Sequence, residues 1–257
     1  MALISNKLWG VEDKVQIAID RLREFEPAEG YYLAFSGGKD SQTVYELAKM
    51  SGVKFDAHYN LTTVDPPELV RFIKDYYPEV KIHRPEKSMW QLIVENGMPP
   101  LRQIRYCCRT LKEGGGAGRV VVTGVRHEES RKRSGRKMVE SCFMDGSRRF
   151  LHPVIDWTAK EVWEYLRRLK IPYCSLYDEG WTRLGCVLWP NANQEAQAER
   201  WPKIADAYKR ACIRAYDAGM AKGKVYQENW KSGEDMYYWW MSGKGNKGDP
   251  DQTILFE

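Results

Sequence analysis

The 257-residue chain predicts an α/β fold, an open and mostly parallel sheet flanked by helices, with a helical C-terminal extension. Three observations predict it. Short apolar runs alternate with segments of helical period through about residue 125. One of those runs, Arg119–Thr123 (RVVVT), is continuous and β-branched, as a strand covered on both faces requires. The hexapeptide Ser36–Ser41 (SGGKDS) stands where an apolar run ends and a helical one begins, and none of its residues helps to build a core.

The elements follow in order. Val11–Phe25 carries apolar residues at helical spacing and predicts an amphipathic helix, ended by Pro27 and Gly30. Tyr31–Phe35 predicts a buried strand, and Ser41–Met50 a helix closed by Gly52. Val53–Tyr59 predicts a second strand, and Pro66 opens a helix over Glu68–Tyr77. Val80–His83 predicts a third strand and Lys87–Glu95 a helix. Leu101–Lys112 predicts another helix, stopped by Gly114-Gly115-Gly116. Beyond Arg119–Thr123, Phe150–Ile155 predicts a further strand. Thr158 with Glu161 three residues on forms a capping box for a helix over Lys160–Lys170. Gln194–Ala218 predicts a helical stretch interrupted near Pro202, and after Gly219 the pattern dissolves into glycine, lysine and aromatic residues.

Composition narrows the class. With 43% apolar and 12% aromatic residues the chain is globular rather than disordered. A net charge of +5 suits an anionic ligand but is too small to imply nucleic acid. No apolar run approaches the roughly 20 residues of a membrane span. The start, MALISNKLWGVEDKV, lacks the basic and long apolar stretches of a signal peptide. The expectation is a cytoplasmic protein with no membrane partner. Six cysteines then read as reduced thiols, a metal site or catalytic groups rather than a disulfide framework.

At a strand-to-helix junction, backbone N–H groups of the turn and first helical turn point outward unpaired, and with the helix dipole they attract an anion. Gly37 and Gly38 permit close approach of a phosphate, Lys39 adds a mobile positive charge, and Ser36 and Ser41 offer hydroxyls. Asp40 suits a helix N-terminus or a magnesium ion. Neither G-x-x-x-x-G-K-[ST] nor G-x-G-x-x-G is present at this junction.

SGGKDS resembles the pyrophosphate loop of the PP-loop, or adenine nucleotide alpha hydrolase-like, superfamily. Further stretches, in chain order, resemble the phosphoadenosine phosphosulfate (PAPS) reductase family. They are TTVDPPELVRFI (Thr62–Ile73), RYCCRTLKE (Arg105–Glu113), VTGVRHEESRKR (Val122–Arg133), HPVIDWTAKEVWEYL (His152–Leu166) and IPYCSLYDEGWTRLGC (Ile171–Cys186). The likeness covers roughly residues 30 to 190. It implies a Rossmann-like sheet binding ATP or a PAPS-like adenine nucleotide at the C-terminal strand edge. It divides the chain into a nucleotide-binding domain, 1–190, and a C-terminal extension, 191–257.

The resemblance also implies a [4Fe–4S] cluster held by a Cys-Cys pair and a later Cys-x-x-Cys. Here Cys107 and Cys108 are adjacent, Cys186 follows, and Trp189 stands in the place of the fourth thiolate. Three readings stay open. Cys107, Cys108 and Cys186 hold a cluster with one open iron; another residue such as Cys142 or Cys174 substitutes; or the cluster is lost and the cysteines are relics or core residues. Reductases of this family attack sulfur with a cysteine near the C-terminus. The last cysteine here, Cys212, falls within a predicted helix, and MSGKGNKGDPDQTILFE has none.

The expected function is therefore ATP-dependent activation of an acceptor with release of pyrophosphate, with Lys39 and Asp40 as catalytic candidates and magnesium accompanying ATP. The alternatives are sulfonucleotide (PAPS or APS) reduction, and a nucleotide-binding regulator without turnover that works with a protein partner. The acceptor, a nucleic acid or a small molecule, and the oligomeric state are open.

Other residues carry paired readings. Asp65 either contacts ribose or the adenine edge, or is a helix-entry residue before Pro66. Gly124 at a strand end allows close ligand approach, and Arg126 can pair with phosphate. Arg131, Lys132, Arg133, Arg136 and Lys137 continue a basic run. It is either a solvated surface or a clamp for substrate phosphates or a nucleic-acid backbone, with Arg131 and Arg133 foremost. The resemblance places Arg183 and Gly185, beside Cys186, near the nucleotide. Asp156-Trp157 reads as a helix-entry pair, and none of the four histidines has a partner at metal-ligand spacing. Tyr237, Tyr238, Trp239 and Trp240 cannot all face one core. They fold back over the domain or stack on a ligand.

Overall fold

A computed structural model of the protein describes residues 3–7, 10–141, 148–190, 193–224, 226 and 230–246. The chain opens with an antiparallel pair, β1 (Ile4–Lys7) and β2 (Gly10–Asp13), with Ile4 opposite Asp13. Helix α1 (Lys14–Glu24) starts three residues later than its spacing predicts, because Asp13 caps it. The Asp13 carboxylate accepts from the Val15 N–H at 3.0 Å and also from the Leu3 N–H at 3.0 Å. β3 (Tyr31–Ala34), α2 (Lys39–Ser51), β4 (Phe55–Asn60), α3 (Pro67–Tyr76) and β5 (Lys81–His83) then alternate as predicted. Helices α4 (Met89–Asn96) and α5 (Tyr106–Leu111) follow. After them come β6 (Val120–Val122), β7 (Val139–Ser141), β8 (Arg149–Leu151) and α6 (Ala159–Arg168). The chain closes with α7 (Gln194–Arg200), α8 (Pro202–Ala221) and α9 (Gly233–Met241).

Six strands form one sheet in the order β5-β4-β3-β6-β8-β7. β3 pairs in parallel with β4 and with β6, β6 pairs in parallel with β8, and only β7 is shown antiparallel, on β8. The fold is the mostly parallel α/β class that the alternation predicts. From β3 the chain builds outward through β4 and β5, then returns to place β6 on the other side of β3. The winding therefore reverses between β3 and β6, the point in an open parallel sheet where the loops leaving the strands diverge and leave a crevice.

Contacts group the chain into two compact units that interleave along the sequence, one of residues 1–59, 67–83 and 115–184, the other of 60–66, 84–114 and 185–257. The first unit holds the sheet. Tyr31 reaches from β3 to α1, where its hydroxyl donates to the Leu22 carbonyl at 2.8 Å. The expected helix-entry pair is structural: Asp156 takes Arg21 at 2.7 Å and Trp157 is buried. The Thr158–Glu161 capping box forms as predicted.

In the second unit α8 packs against α4 and α9. The Trp90 ring stands edge-on to Tyr208, centroids 5.0 Å apart, and Tyr208 lies 4.8 Å from Trp240. The Trp240 indole N–H donates to the Pro100 carbonyl at 2.8 Å. The aromatic run thus lies on a helix that its sequence did not announce. Residues three apart, Tyr237 and Trp240, face inward while Tyr238 is exposed, so the run folds back on its own unit. The helix predicted over Leu101–Lys112 shrinks to α5. Leu101 and Ile104 exchange backbone hydrogen bonds at 3.2 Å, and that closed turn competes with helix.

One core group links this architecture to pH. His152, 1% exposed, shares a 2.7 Å hydrogen bond with the Thr123 hydroxyl, and burial lowers its pKa from the ordinary 6.5 to about 4. A histidine held neutral in the fold but free to protonate when unfolded contributes stability above its unfolded pKa. That contribution declines as pH falls from about 6.5 to about 4, by on the order of 3 kcal/mol. Chemical denaturation at pH 7 and pH 4.5 checks this: His152→Gln is expected to flatten that part of the pH dependence, and an unchanged slope would contradict it.

Candidate functional site

The loop Ser36–Ser41 leaves the C-terminal end of β3, at the point where the sheet winding reverses, and runs directly into α2. Its shape is set locally. Gly37 has φ 71°, and a Cβ there would meet Leu69 and Ile73 at 2.8 Å, so only glycine allows both the turn and its packing. The Ser41 hydroxyl accepts from the Ser36 N–H at 3.1 Å and donates to the Gly38 carbonyl at 2.8 Å, bracing the turn from inside. Gly38 is the N-cap of α2 and supplies no side-chain cap, so the first-turn N–H groups face out of the loop. Lys39 and Asp40 occupy that first turn. A helix of 13 residues thus presents its positive end, with a lysine, at the mouth of the crevice.

The loop leaving β6 closes the other side. A Cβ on Gly124 would come within 2.7 Å of the Asp40 backbone, so this glycine lets the two loops touch. Arg126, 3% exposed, donates from Nε to Asp40 at 2.7 Å, from Nη1 to Glu128 at 2.9 Å and to the Trp157 carbonyl at 3.1 Å. The other Asp40 oxygen receives the Lys39 ammonium at 3.1 Å. Lys39 is 7% exposed, and its ammonium also approaches the Thr182 carbonyl at 3.5 Å. Both Asp40 oxygens are therefore held by cations, and this carboxylate does not fit the magnesium-ligand role that its type allows.

The structure gathers Ser36, Gly37, Gly38, Lys39, Asp40, Ser41, Gly124 and Arg126 into one locus of the first unit. The basic run beyond it is largely matched by acids: Arg133 pairs with Glu129, and Arg136 with Glu140 at 2.8 Å. Arg126 and Arg133 thus hold carboxylates, and Arg131 is exposed. Arg183 is exposed too, near enough for its charge to act on the phenol of Tyr177. Tyr177 is a site residue that the sequence alone does not reveal. Its hydroxyl accepts the Lys39 backbone N–H at 2.9 Å, across 138 residues of chain. A tyrosine in a helix-poor stretch carries no periodic signal of such a contact.

A family model described as the phosphoadenosine phosphosulfate reductase domain matches residues 30–192, more than half of the chain and all of this locus. The chain belongs to this family. Among its relatives, an adenosine 5'-phosphosulfate reductase of Oceanobacillus iheyensis is 27% identical over 169 residues, 61% of this chain and 67% of that protein. A probable FAD synthase of Caenorhabditis elegans is 26% identical over 187 residues, 67% of this chain but 32% of that one. The matched segment is also only 35% of an uncharacterized Methanocaldococcus jannaschii protein, 29% identical. The solved phosphate complex of a PAPS reductase from Candida auris shares the fold. Its TM-score is 0.50 at 17% identity, over 71% of this chain and 97% of that one.

Cys107, Cys108 and Cys186 of this PAPS reductase domain lie in the second unit, as does Asp65, which accepts the Thr62 N–H at 2.6 Å in a local turn. Cys107 and Cys108 open α5, Cys107 buried and Cys108 partly so. Their mutual hydrogen bond holds Cys108 below and Cys107 above the ordinary thiol range. The Cys186 thiol donates to the Thr62 hydroxyl at 3.4 Å. Lys112 hydrogen-bonds Cys186, and its interaction with that sulfur, with the Asp65 carboxylate adding to it, raises the pKa of its ammonium. Trp189, in the fourth-ligand place, lies over the Arg105 guanidinium at 5.1 Å. Among the described residues, no three His, Cys, Asp or Glu side chains are placed to hold a metal ion. Cys142 lies outside the described residues, and Cys174 is a buried core thiol of the first unit.

Three thiols, one of them already paired with an ammonium, together with a tryptophan do not fit a four-thiolate cluster. Protein purified without oxygen is expected to carry well below the four irons per chain of a [4Fe–4S] centre. Iron and acid-labile sulfide assays check this; four of each would contradict it.

Proposed function

We propose that the protein binds ATP, or a closely related adenylyl nucleotide, with its phosphates in the Ser36–Ser41 loop, and activates an acceptor with release of pyrophosphate. The observation that supports this reading is the junction itself. A glycine-capped helix start and a buried lysine stand together where the sheet winding reverses. The relatives add weight, because a probable FAD synthase and adenosine 5'-phosphosulfate reductases both act on adenylyl compounds by name.

The chain's own groups have distinct tasks in this reading. Outward N–H groups of the first α2 turn and the Lys39 ammonium stabilise negative charge that grows on the departing phosphates. The Ser41 hydroxyl keeps the turn in shape, its proton given to the Gly38 carbonyl, and the exposed Ser36 hydroxyl can turn from Ser41 to a phosphate oxygen. Asp40 and Arg126 act on position rather than on phosphate, since each holds the other. With Asp40 engaged, magnesium would arrive on the nucleotide rather than on a carboxylate of this loop. Arg131 and Arg183 are the exposed arginines available to outer phosphates or to an acceptor.

The test is direct. ATP is expected to bind in the micromolar-to-millimolar range usual for enzyme substrates, and one member of an acceptor panel drawn from nucleic acids and small metabolites is expected to elicit pyrophosphate release. A cysteine trapped as its thiosulfonate adduct after mixing with PAPS would favour sulfonucleotide reduction instead. Binding without turnover across the panel would favour a regulator that works through a protein partner or a second copy of the chain.

A further inference from the structure

The Lys39 backbone N–H is one of the donors that a phosphate oxygen would take, and in the free protein it is already used. The Tyr177 hydroxyl accepts it at 2.9 Å. Gly38 leaves the room: a Cβ there would stand 3.4 Å from that hydroxyl oxygen. The Lys39 ammonium sits 6.0 Å from the Tyr177 ring centroid and 3.5 Å from the Thr182 carbonyl. One segment, 173–183, thus meets both the dipolar and the cationic halves of the cradle. The ring has a seat of its own, edge-on to Trp163 at 4.8 Å and 90°, with Tyr173 6.3 Å away. The segment's start is tied down separately, where the Gln42 amide donates to the Pro172 carbonyl at 2.7 Å.

We propose that the Tyr177 hydroxyl is an internal stand-in for a phosphate oxygen, and that incoming phosphates displace it, so that Tyr177 sets the affinity of the loop for polyphosphate. The inference rests on the loop being a phosphate cradle. A phenol is a neutral acceptor here, since burial raises its pKa and keeps the proton on oxygen. A phosphate oxygen is charged, and charge-assisted hydrogen bonds are roughly twice as strong as neutral ones. Phosphate therefore wins the N–H, but against a competitor held in place by its own ring packing.

Calorimetric titration of the full chain with inorganic pyrophosphate, and separately with ATP, tests this. Tyr177→Phe keeps the ring against Trp163 and removes only the competing oxygen. It is expected to tighten pyrophosphate binding about 3- to 10-fold, the worth of one net hydrogen bond. Trp163→Leu, which removes the seat of the ring at a partly buried position, is expected to shift affinity in the same direction. Unchanged or weaker pyrophosphate binding by Tyr177→Phe, while the unaltered protein binds, overturns the stand-in and leaves the cradle reading intact. No binding of pyrophosphate or ATP by either protein overturns the cradle reading and the stand-in together.

Discussion

Alanine at position 39 is expected to lower pyrophosphate release by roughly 10²- to 10³-fold while leaving the fold in place, the usual effect of removing one group that meets charge developing in a transition state. Lys39 is 7% exposed and its ammonium lies between Asp40 and the Thr182 carbonyl, at the helix start where phosphate charge would collect. The arginines nearby do not replace it. Arg126 is spent on Asp40, Glu128 and a backbone carbonyl, and Arg133 on Glu129. Without the ammonium, one Asp40 oxygen faces the incoming phosphate with half its compensation gone. The loss is expected in both nucleotide affinity and turnover, read as Kd by titration and as kcat/KM by pyrophosphate assay. Lys39→Arg is expected to recover part of the binding. Turnover by Lys39→Ala within a few-fold of the unaltered protein would remove this lysine from the chemistry.

The second large effect is on stability. Arg126→Ala is expected to destabilise the protein by about 3–5 kcal/mol, because breaking a buried ion pair leaves its partners uncompensated. Arg126 is 3% exposed and joins the loop after β6 to the first turn of α2 and to the Trp157 carbonyl before α6. Its removal leaves the Asp40 carboxylate with Lys39 alone to compensate it, leaves a buried carbonyl without a donor and opens a cavity beside the Ser36–Ser41 loop. Denaturant melts read the loss. Asp40→Asn in the same background is expected to recover part of it, since the half-compensated charge is then gone. A loss below about 1 kcal/mol in Arg126→Ala, the range of an exposed pair, would show that the contact is a surface one.

Much of the fold was legible because its signals are local. β3, α2, β4, α3 and β6 each carry their own period and their own stops, and Gly52 ends α2 at φ 75° where a glycine was expected. The break between α7 and α8 falls at Pro202, as a proline dictates. The misses share a cause. β1, β2 and β7 are three or four residues long, too short to carry a period of their own, and what defines them is the antiparallel pairing of neighbouring segments. α9 depends on Ser232 as its cap and on α8 as its packing surface, and its run of aromatics hides a helical face.

The site divides along the same line. By itself the chain determined the Ser36–Ser41 turn and, with the later stretches, its family, because glycines, a lysine and two serines at a strand-to-helix junction act through backbone geometry within six residues. Only the tertiary structure decided what those residues face. It set Arg126 on Asp40 rather than on a ligand, paired Lys112 with Cys186 where the resemblance implies iron, and brought Tyr177 to the Lys39 N–H. Such pairings join positions up to 138 apart in the chain. They arise from how the sheet winds and which side chains it buries, and no local period encodes them.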